Sequence, residues 1–364
     1  MSVATKPSIH QFTTAASPDQ LRKIGAGHCG SVWSCTSPES SLVIKREDGG
    51  EGRSITHEYN MHRDVLRSLE SPRVASTIKG SRVNMPRCEG FLGREDEAAW
   101  SAILPRLPGT FTSCNALISE KIPPLPRRVR KLLAQTLGLG ENPDQVADDA
   151  SNAHCLVRPY LGRRKHRHNT TTATTTDDQT AAPKRLFRFY SLRNLPLHAN
   201  QMEDLGLDLE GYALAIADAL AFLHWSARVD ANDVEFVLAH SRQQATAQTA
   251  PSLGSTDFIS DEAVLGPHGM WLLDFDCCRT MTMDEAGIRQ ACKSFWRNDP
   301  YYPRPGGDTQ TDQRLWDVFQ TRFLETSERL LEGETETAVR QLPQRLIQLI
   351  EQTKGKFSRG TDFW

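Results

Sequence analysis

The sequence predicts an α+β fold in two lobes, a small antiparallel-sheet lobe followed by a larger, mainly helical one. Three observations carry that prediction. Short β-prone runs separated by turn residues fill the first part of the chain. Helical patterns with apolar faces dominate from residue 127 onward. Between them a strand-like run at 116–122 meets Pro123-Pro124, which can continue neither a ladder nor a helix, so the hinge between lobes is placed there. The expected division is a disordered segment at 1–20, a small lobe at 21–122 and a helical lobe at 123–364. A length of 364 residues suits two units, because domains commonly run to about 100 to 200 residues.

Taken in order, residues 21–24, 31–35 and 42–45 read as strands, split by a glycine turn and by the Thr36-Ser37-Pro38-Glu39 break. Ile55, Tyr59, His62, Val65, Leu66 and Leu69 fall at helical spacing, with Glu58 one turn below His62. Residues 127–139 predict a further helix, and 155–161 with 186–192 two strands flanking a loop. That loop, 163–184, opens with a basic run and continues threonine-rich; with almost nothing to bury, it is expected to be a disordered insertion. The alanine-rich run 207–225 is apolar over most of its helical surface and hence predicts a buried helix. A strand at 234–239 is followed by a polar stretch, 240–268, read as a second inserted loop, and then by a strand at 270–273. From Asp284 the pattern is mainly helical, broken at 299–307.

Composition narrows the function classes. A formal net charge of −2 offers no excess positive field for nucleic-acid phosphates. The eight cysteines are scattered without a C-x-x-C pair or the spacing of a disulfide scaffold, which predicts reduced thiols. Residues 1–20 lack the features of a signal or transit peptide, and no stretch approaches the roughly 20 apolar residues of a membrane span. A soluble protein of cytoplasm or nucleus is expected, with no nucleic-acid or membrane partner.

Three segments carry chemistry. Gly25, Gly27, Gly30 and Val32 make a G-x-G-x-x-G-x-V turn, whose backbone can pack over phosphates. Lys45 ends a strand and would reach those phosphates while pairing with Glu58 of the next helix. Asp274 follows the apolar strand 270–273, a place suited to a metal ligand. Upstream, Asp230 takes the position of a catalytic base, and five residues on Glu235 stands where an asparagine would hold metal. Backbone groups of Glu120 to Ile122 would meet adenine. Asp230, Asp233, Glu235, Asp274 and Asp276 would crowd one cleft, which is unfavourable unless a divalent cation or a raised pKa relieves it, and metal binding is expected. Each part has a bland alternative: a hairpin, a solvated lysine, a helix-surface charge, a capped loop. Cys29 is weighed as a reactive thiol in the glycine turn and also as mere packing. Cys277-Cys278 with His268, or His154-Cys155 with His166 and His168, lack zinc-ligand spacing.

Two resemblances follow. The stretches 155–162, 190–198, 219–225 and 230–238, with Trp271-Leu272-Leu273-Asp274-Phe275-Asp276 and Phe295-Trp296-Arg297-Asn298-Asp299-Pro300-Tyr301-Tyr302-Pro303-Arg304-Pro305, resemble a fungal family of unknown function. Its members are commonly labelled "zinc finger protein", a label these cysteines do not support. More distantly, Gly25, Gly27, Gly30, Val32, Lys45, Glu58, Asp230 and Asp274 resemble the ATP site of protein kinases and aminoglycoside phosphotransferases. The departures are the missing His-Arg pair before Asp230, Glu235, Asp276 in place of glycine, and no A-P-E segment. What the resemblance implies is a divergent ATP- and Mg2+-dependent phosphotransferase acting on an unknown protein or small molecule. The alternative is a catalytically inactive pseudokinase, a nucleotide-sensing or protein-interaction module using the surface around 296–305. A third expectation, a zinc-dependent nucleic-acid binder, requires tightly held zinc.

Overall fold

The computed structural model describes residues 12, 19–37, 40–78, 82–165, 191–242, 252–253, 257–261 and 263–354. The fold is α+β. Its first sheet is antiparallel throughout and takes β1 (Leu21–Ala26), β2 (Ser31–Cys35), β3 (Leu42–Arg46), β5 (Cys88–Leu92) and β6 (Ala116–Glu120) in the order β1-β2-β3-β6-β5. Alternating residues explain how one face is covered. Trp33, Ile44 and Ile118 pack with Phe12, Trp100 and Ile103 into a core of their own. The Arg46 guanidinium is buried there over the rings of Trp100 and Phe111, and bonds Asp48 at 3.1 Å and the Thr112 carbonyl at 2.7 Å.

Helix α1 (Ile55–Ser68) starts where Ser54 accepts a bond from the His57 amide at 3.3 Å, and it buries Ile55, Glu58, Met61, His62 and Val65. Short helices α2 (Pro72–Thr77) and α3 (Glu97–Ile103) follow, on either side of the two-residue strand β4 (Val83–Asn84). After the first sheet come α4 (Arg127–Thr136) and α5 (Pro143–Asp148).

The second sheet runs β10-β4-β12-β9-β7-β8, with β11 paired to β12. Its members are β7 (Val157–Tyr160), β8 (Leu195–His198), β9 (Glu235–His240), β10 (Ser252–Leu253), β11 (Phe258–Ile259) and β12 (Pro267–Leu273). Helices α6 (Ala199–Asp204) and α7 (Leu209–Trp225) pack with α8 (Glu285–Arg297), α9 (Gln310–Leu330), α10 (Thr337–Arg340) and α11 (Leu342–Gln352) into the larger core. Alanines at 213, 215, 217, 219 and 221 keep α7 slim, and α9 lies against it. The pair is locked by buried Asp218, which accepts from Arg322 at 2.7 and 3.0 Å and from Thr326 at 2.6 Å.

Several local expectations are corrected. The strand beside β7 is Leu195–His198, paired in parallel, and not 186–192, of which 186–190 lie outside the described residues. The stretch 240–268 is not a plain loop. Its described parts contribute β10, β11 and the start of β12, because Phe258, Leu265 and His268 find buried partners there. Most of the expected insertion at 163–184, and most of 1–20, lies outside the described residues. The stretch 296–305 is not an exposed docking surface: Tyr301 and Tyr302 are fully buried, and Arg304 lies over Phe295 and Trp296.

Candidate functional site

The site begins with one cross-strand row. Gly25 pairs with Val32, Val32 with Lys45, and Lys45 with Leu117, so these four line one face of the first sheet. All four line a cleft between the two sheets, together with Gly27, Glu58, Glu120, Ile122, Arg158, Glu235 and Asp274. The β1–β2 hairpin closes with the Gly27 amide donating to the Gly30 carbonyl at 2.8 Å, and its tip is tied down by Gly49 and Gly50 amides bonding Cys29 and His28 carbonyls. Gly30 does not line the cleft. Its role is close approach, since a Cβ there would stand 1.8 Å from the Arg46 carbonyl oxygen. Cys29 packs against Ile55 and Leu117, and burial pushes its thiol up to about 12, which removes the basis for a reactive thiol.

Lys45 joins parts that are far apart in sequence. Its Nζ donates to Glu58 Oε1 and to Asp274 Oδ1, both at 2.8 Å. Helix α1 is set for this by two contacts to the segment after β12: His57 Nε2 donates to the Cys278 carbonyl at 2.7 Å, and His62 packs on Phe275. Burial lowers His62 to about 4, so it stays neutral at pH 7. Burial also opposes charge on Lys45, but Asp274 and Glu58 outweigh it and hold the ammonium's proton above its usual range. Glu58, the more deeply buried carboxyl, is pushed up to about 7 by burial against the pull of Lys45. One ammonium between two carboxylates leaves a surplus negative charge, and burial makes Glu58 take up a proton more readily than an exposed carboxyl would.

A second cluster stands beside it. Glu235 opens β9 opposite Leu273, the residue before Asp274, so the register brings the two carboxylates to one corner. Glu235 Oε1 is bonded by Arg158 Nη2 from the neighbouring strand β7. Arg158 Nη1 meets Asp299 Oδ2 at 3.3 Å, and Asp299 also accepts from the Tyr160 hydroxyl at 2.7 Å. Burial raises the Glu235 carboxyl to about 7, with Arg158 pulling the other way. A third cation, Arg53, bridges Asp276 at 2.7 Å and Asp233 at 3.1 Å. The expected crowding of carboxylates is therefore relieved in this structure by Lys45, Arg53 and Arg158.

Asp230 is placed apart from the cleft lining and is buried. Oδ1 accepts from the Arg279 amide at 2.9 Å and the Asn232 amide at 3.1 Å, and Oδ2 from Gln290 Nε2 at 2.9 Å. Of the backbone donors expected to face adenine, the Glu120 amide already donates to the Arg87 carbonyl and the Lys121 amide to the Ser41 carbonyl, which leaves the Ile122 amide as the donor for that part. The Glu120 side chain is ion-paired with Arg242 at 2.8 Å. Sequence reasoning missed Arg158 and Arg53. An arginine inside the apolar strand run Val157-Arg158-Pro159-Tyr160 is a readable signal of a buried counter-charge; Arg53, ahead of a helix cap, gives none.

Among the described residues neither cysteine–histidine set forms a cluster of three possible ligands, and His166 and His168 lie outside the described residues. Cys278 Sγ contacts the Asn232 carbonyl, whereas His268 bonds Tyr212 and the Gly266 carbonyl at the start of β12. The one set of three possible ligands within 4.8 Å, among the described residues, is Asp233, Asp276 and Cys277, and Arg53 already bonds both its carboxylates. No helix among the described residues is long and apolar enough to cross a membrane. Comparison with curated proteins finds no match. Residues 270–335, which hold β12 from Met270, Asp274, α8 and all of α9, match the model of a domain-of-unknown-function family described as "Zinc finger protein".

Proposed function

We propose that this chain is an ATP-binding protein of kinase-like, two-lobed fold, and that the cleft under the β1–β2 hairpin is its nucleotide site. The observation that carries the proposal is Lys45, bonded at once to Glu58 of α1 and to Asp274 after β12, on the same sheet row as Gly25 and Val32. ATP would supply an adenine for the wall near Ile122 and phosphates for Lys45. The donor set fits one divalent cation at Asp274, whose side chain is 29% exposed with one oxygen on Lys45. Glu235 fits the part of a second metal ligand less well, because Arg158 holds its carboxylate. The cleft is partly open to solvent and has a volume of about 190 Å³.

Phosphotransfer, with Asp230 as base and Asp274 as metal ligand, is the catalytic form of this proposal. The second form, a nucleotide-sensing pseudokinase, is favoured by one observation: both Asp230 oxygens are satisfied by Arg279, Asn232 and Gln290. Thermal stability with ATP, with and without Mg2+ or Mn2+, tests the shared claim. A ligand at a hundred times its Kd adds about 2.7 kcal/mol. A metal-dependent shift that is lost in Lys45→Ala supports the proposal, and no shift in the wild type refutes it. Turnover of ATP on peptide or metabolite panels that disappears in Asp230→Asn would select the catalytic form; binding without turnover would select the sensor.

A further inference from the structure

We infer that Arg158 is a resident cation in the place at Glu235 where a second divalent ion would otherwise be held, so that the cleft takes a nucleoside triphosphate with a single metal ion. The inference rests on the nucleotide-site proposal. Its basis is the fork geometry of Arg158: Nη2 on Glu235, Nη1 on Asp299, and Asp299 fixed in turn by the Tyr160 hydroxyl. The β9–β12 register puts Glu235 at the same corner as Asp274, where a two-ion site would need both carboxylates. A lysine or histidine there can give up its proton to admit a metal ion; a guanidinium does not, and a divalent ion at Glu235 would face its full positive charge. Arg158 Nε is buried and has no protein partner, so the cleft-lining guanidinium keeps one donor for a phosphate oxygen.

The test is Mn2+ uptake by the full chain, read from the free-ion electron-paramagnetic-resonance signal, alone and with a non-hydrolysable ATP analogue. Wild type and Glu235→Gln are expected to take one ion each with the analogue. Arg158→Met is expected to gain a further ion, and the double variant Arg158→Met/Glu235→Gln to lose it again. Both Glu235→Gln and the double variant then carry one ion, and the analogue should bind the double variant about tenfold or more weakly, the loss of one charge-assisted bond. Two ions in the wild type, one of them lost in Glu235→Gln, overturn the inference. So does equal analogue affinity in those two variants, as regards the phosphate contact. If the analogue does not bind the wild type at all, the nucleotide proposal fails separately. Arg158 is then decided by Mn2+ alone: an ion gained in Arg158→Met and lost in the double variant supports the inference, and unchanged uptake overturns it. If circular dichroism shows Arg158→Met unfolded, Glu235→Gln still decides, since loss of an ion there overturns the inference and an unchanged count supports it.

Discussion

Glu58→Gln isolates the proton that the Lys45 cluster keeps. Glu58 lies 2.8 Å from Lys45 with only 5% of its side chain exposed, and burial lifts it from an ordinary 4.5 to about 7. A carboxyl whose folded value is raised binds its proton more tightly in the fold than in the unfolded chain. Its contribution to stability is therefore complete below pH 4.5 and is lost as pH rises through about 7. At about 1.4 kcal/mol for each tenfold in proton affinity, the difference is worth about 3 kcal/mol. Glutamine keeps the shape, can still accept from Lys45, and cannot titrate. Wild type and Glu58→Gln are to be unfolded in urea at pH 5, 6.5 and 8 at constant ionic strength, with tryptophan fluorescence as the signal. Glu235 titrates in the same window in both proteins, so its contribution cancels in the difference. The stability difference should move by about 2.5 kcal/mol in favour of Glu58→Gln between pH 5 and pH 8, the part of the whole effect that this window covers. A difference constant to within about 0.5 kcal/mol, the scatter of an uninvolved surface change, would refute the reasoning that burial outweighs Lys45 at this carboxyl.

Two further outcomes test the scaffold and the hairpin. Asp218→Ala removes the acceptor that joins Arg322 and Thr326 of α9 to α7, and leaves the Thr326 hydroxyl buried; chemical denaturation should show a loss of about 3 kcal/mol, with Asp218→Asn milder. Cys29 should resist alkylation by iodoacetamide at pH 7.5 in the folded protein, because burial holds its thiol near 12. Labelling of Cys29 at the rate of an exposed thiol would mean that the hairpin tip stands open without ligand.

The first sheet was legible because its signals are local. Strand alternation and turn residues sufficed for β1, β2 and β3, and the row Gly25, Val32, Lys45 follows once their register is known. Helix α7 was legible for the opposite reason, since fifteen of its seventeen residues are buried and the apolar run leaves nothing else to infer. Strand β8 escaped because Leu195-Pro196-Leu197-His198 is four residues long and contains a proline, which an edge position tolerates. Strands β10 and β11 are two residues each, too short for any period to show. At the site, residue types and order could nominate Lys45 and Asp274, but 229 positions separate them and only topology joins them. The state of Asp230 was beyond sequence altogether, because it depends on donors 49 and 60 positions away.

Three cations at the cleft each stand between two carboxylates, Lys45 with Glu58 and Asp274, Arg158 with Glu235 and Asp299, Arg53 with Asp233 and Asp276. Every group is thus paired, yet each cluster carries a surplus negative charge when its carboxylates are ionised. A partly buried surplus is costly in low dielectric, and the rise of Glu58 and Glu235 to about 7 is the same cost expressed as proton uptake. The polyphosphate of a nucleotide would add to that surplus, whereas one bound together with a divalent cation at Asp274 would reduce it. Proton and metal ion therefore compete to neutralise one corner. For a nucleotide site built this way, affinity for the metal-free triphosphate should be lowest at alkaline pH, where the carboxyls have lost their protons and the surplus negative charge facing the phosphates is greatest.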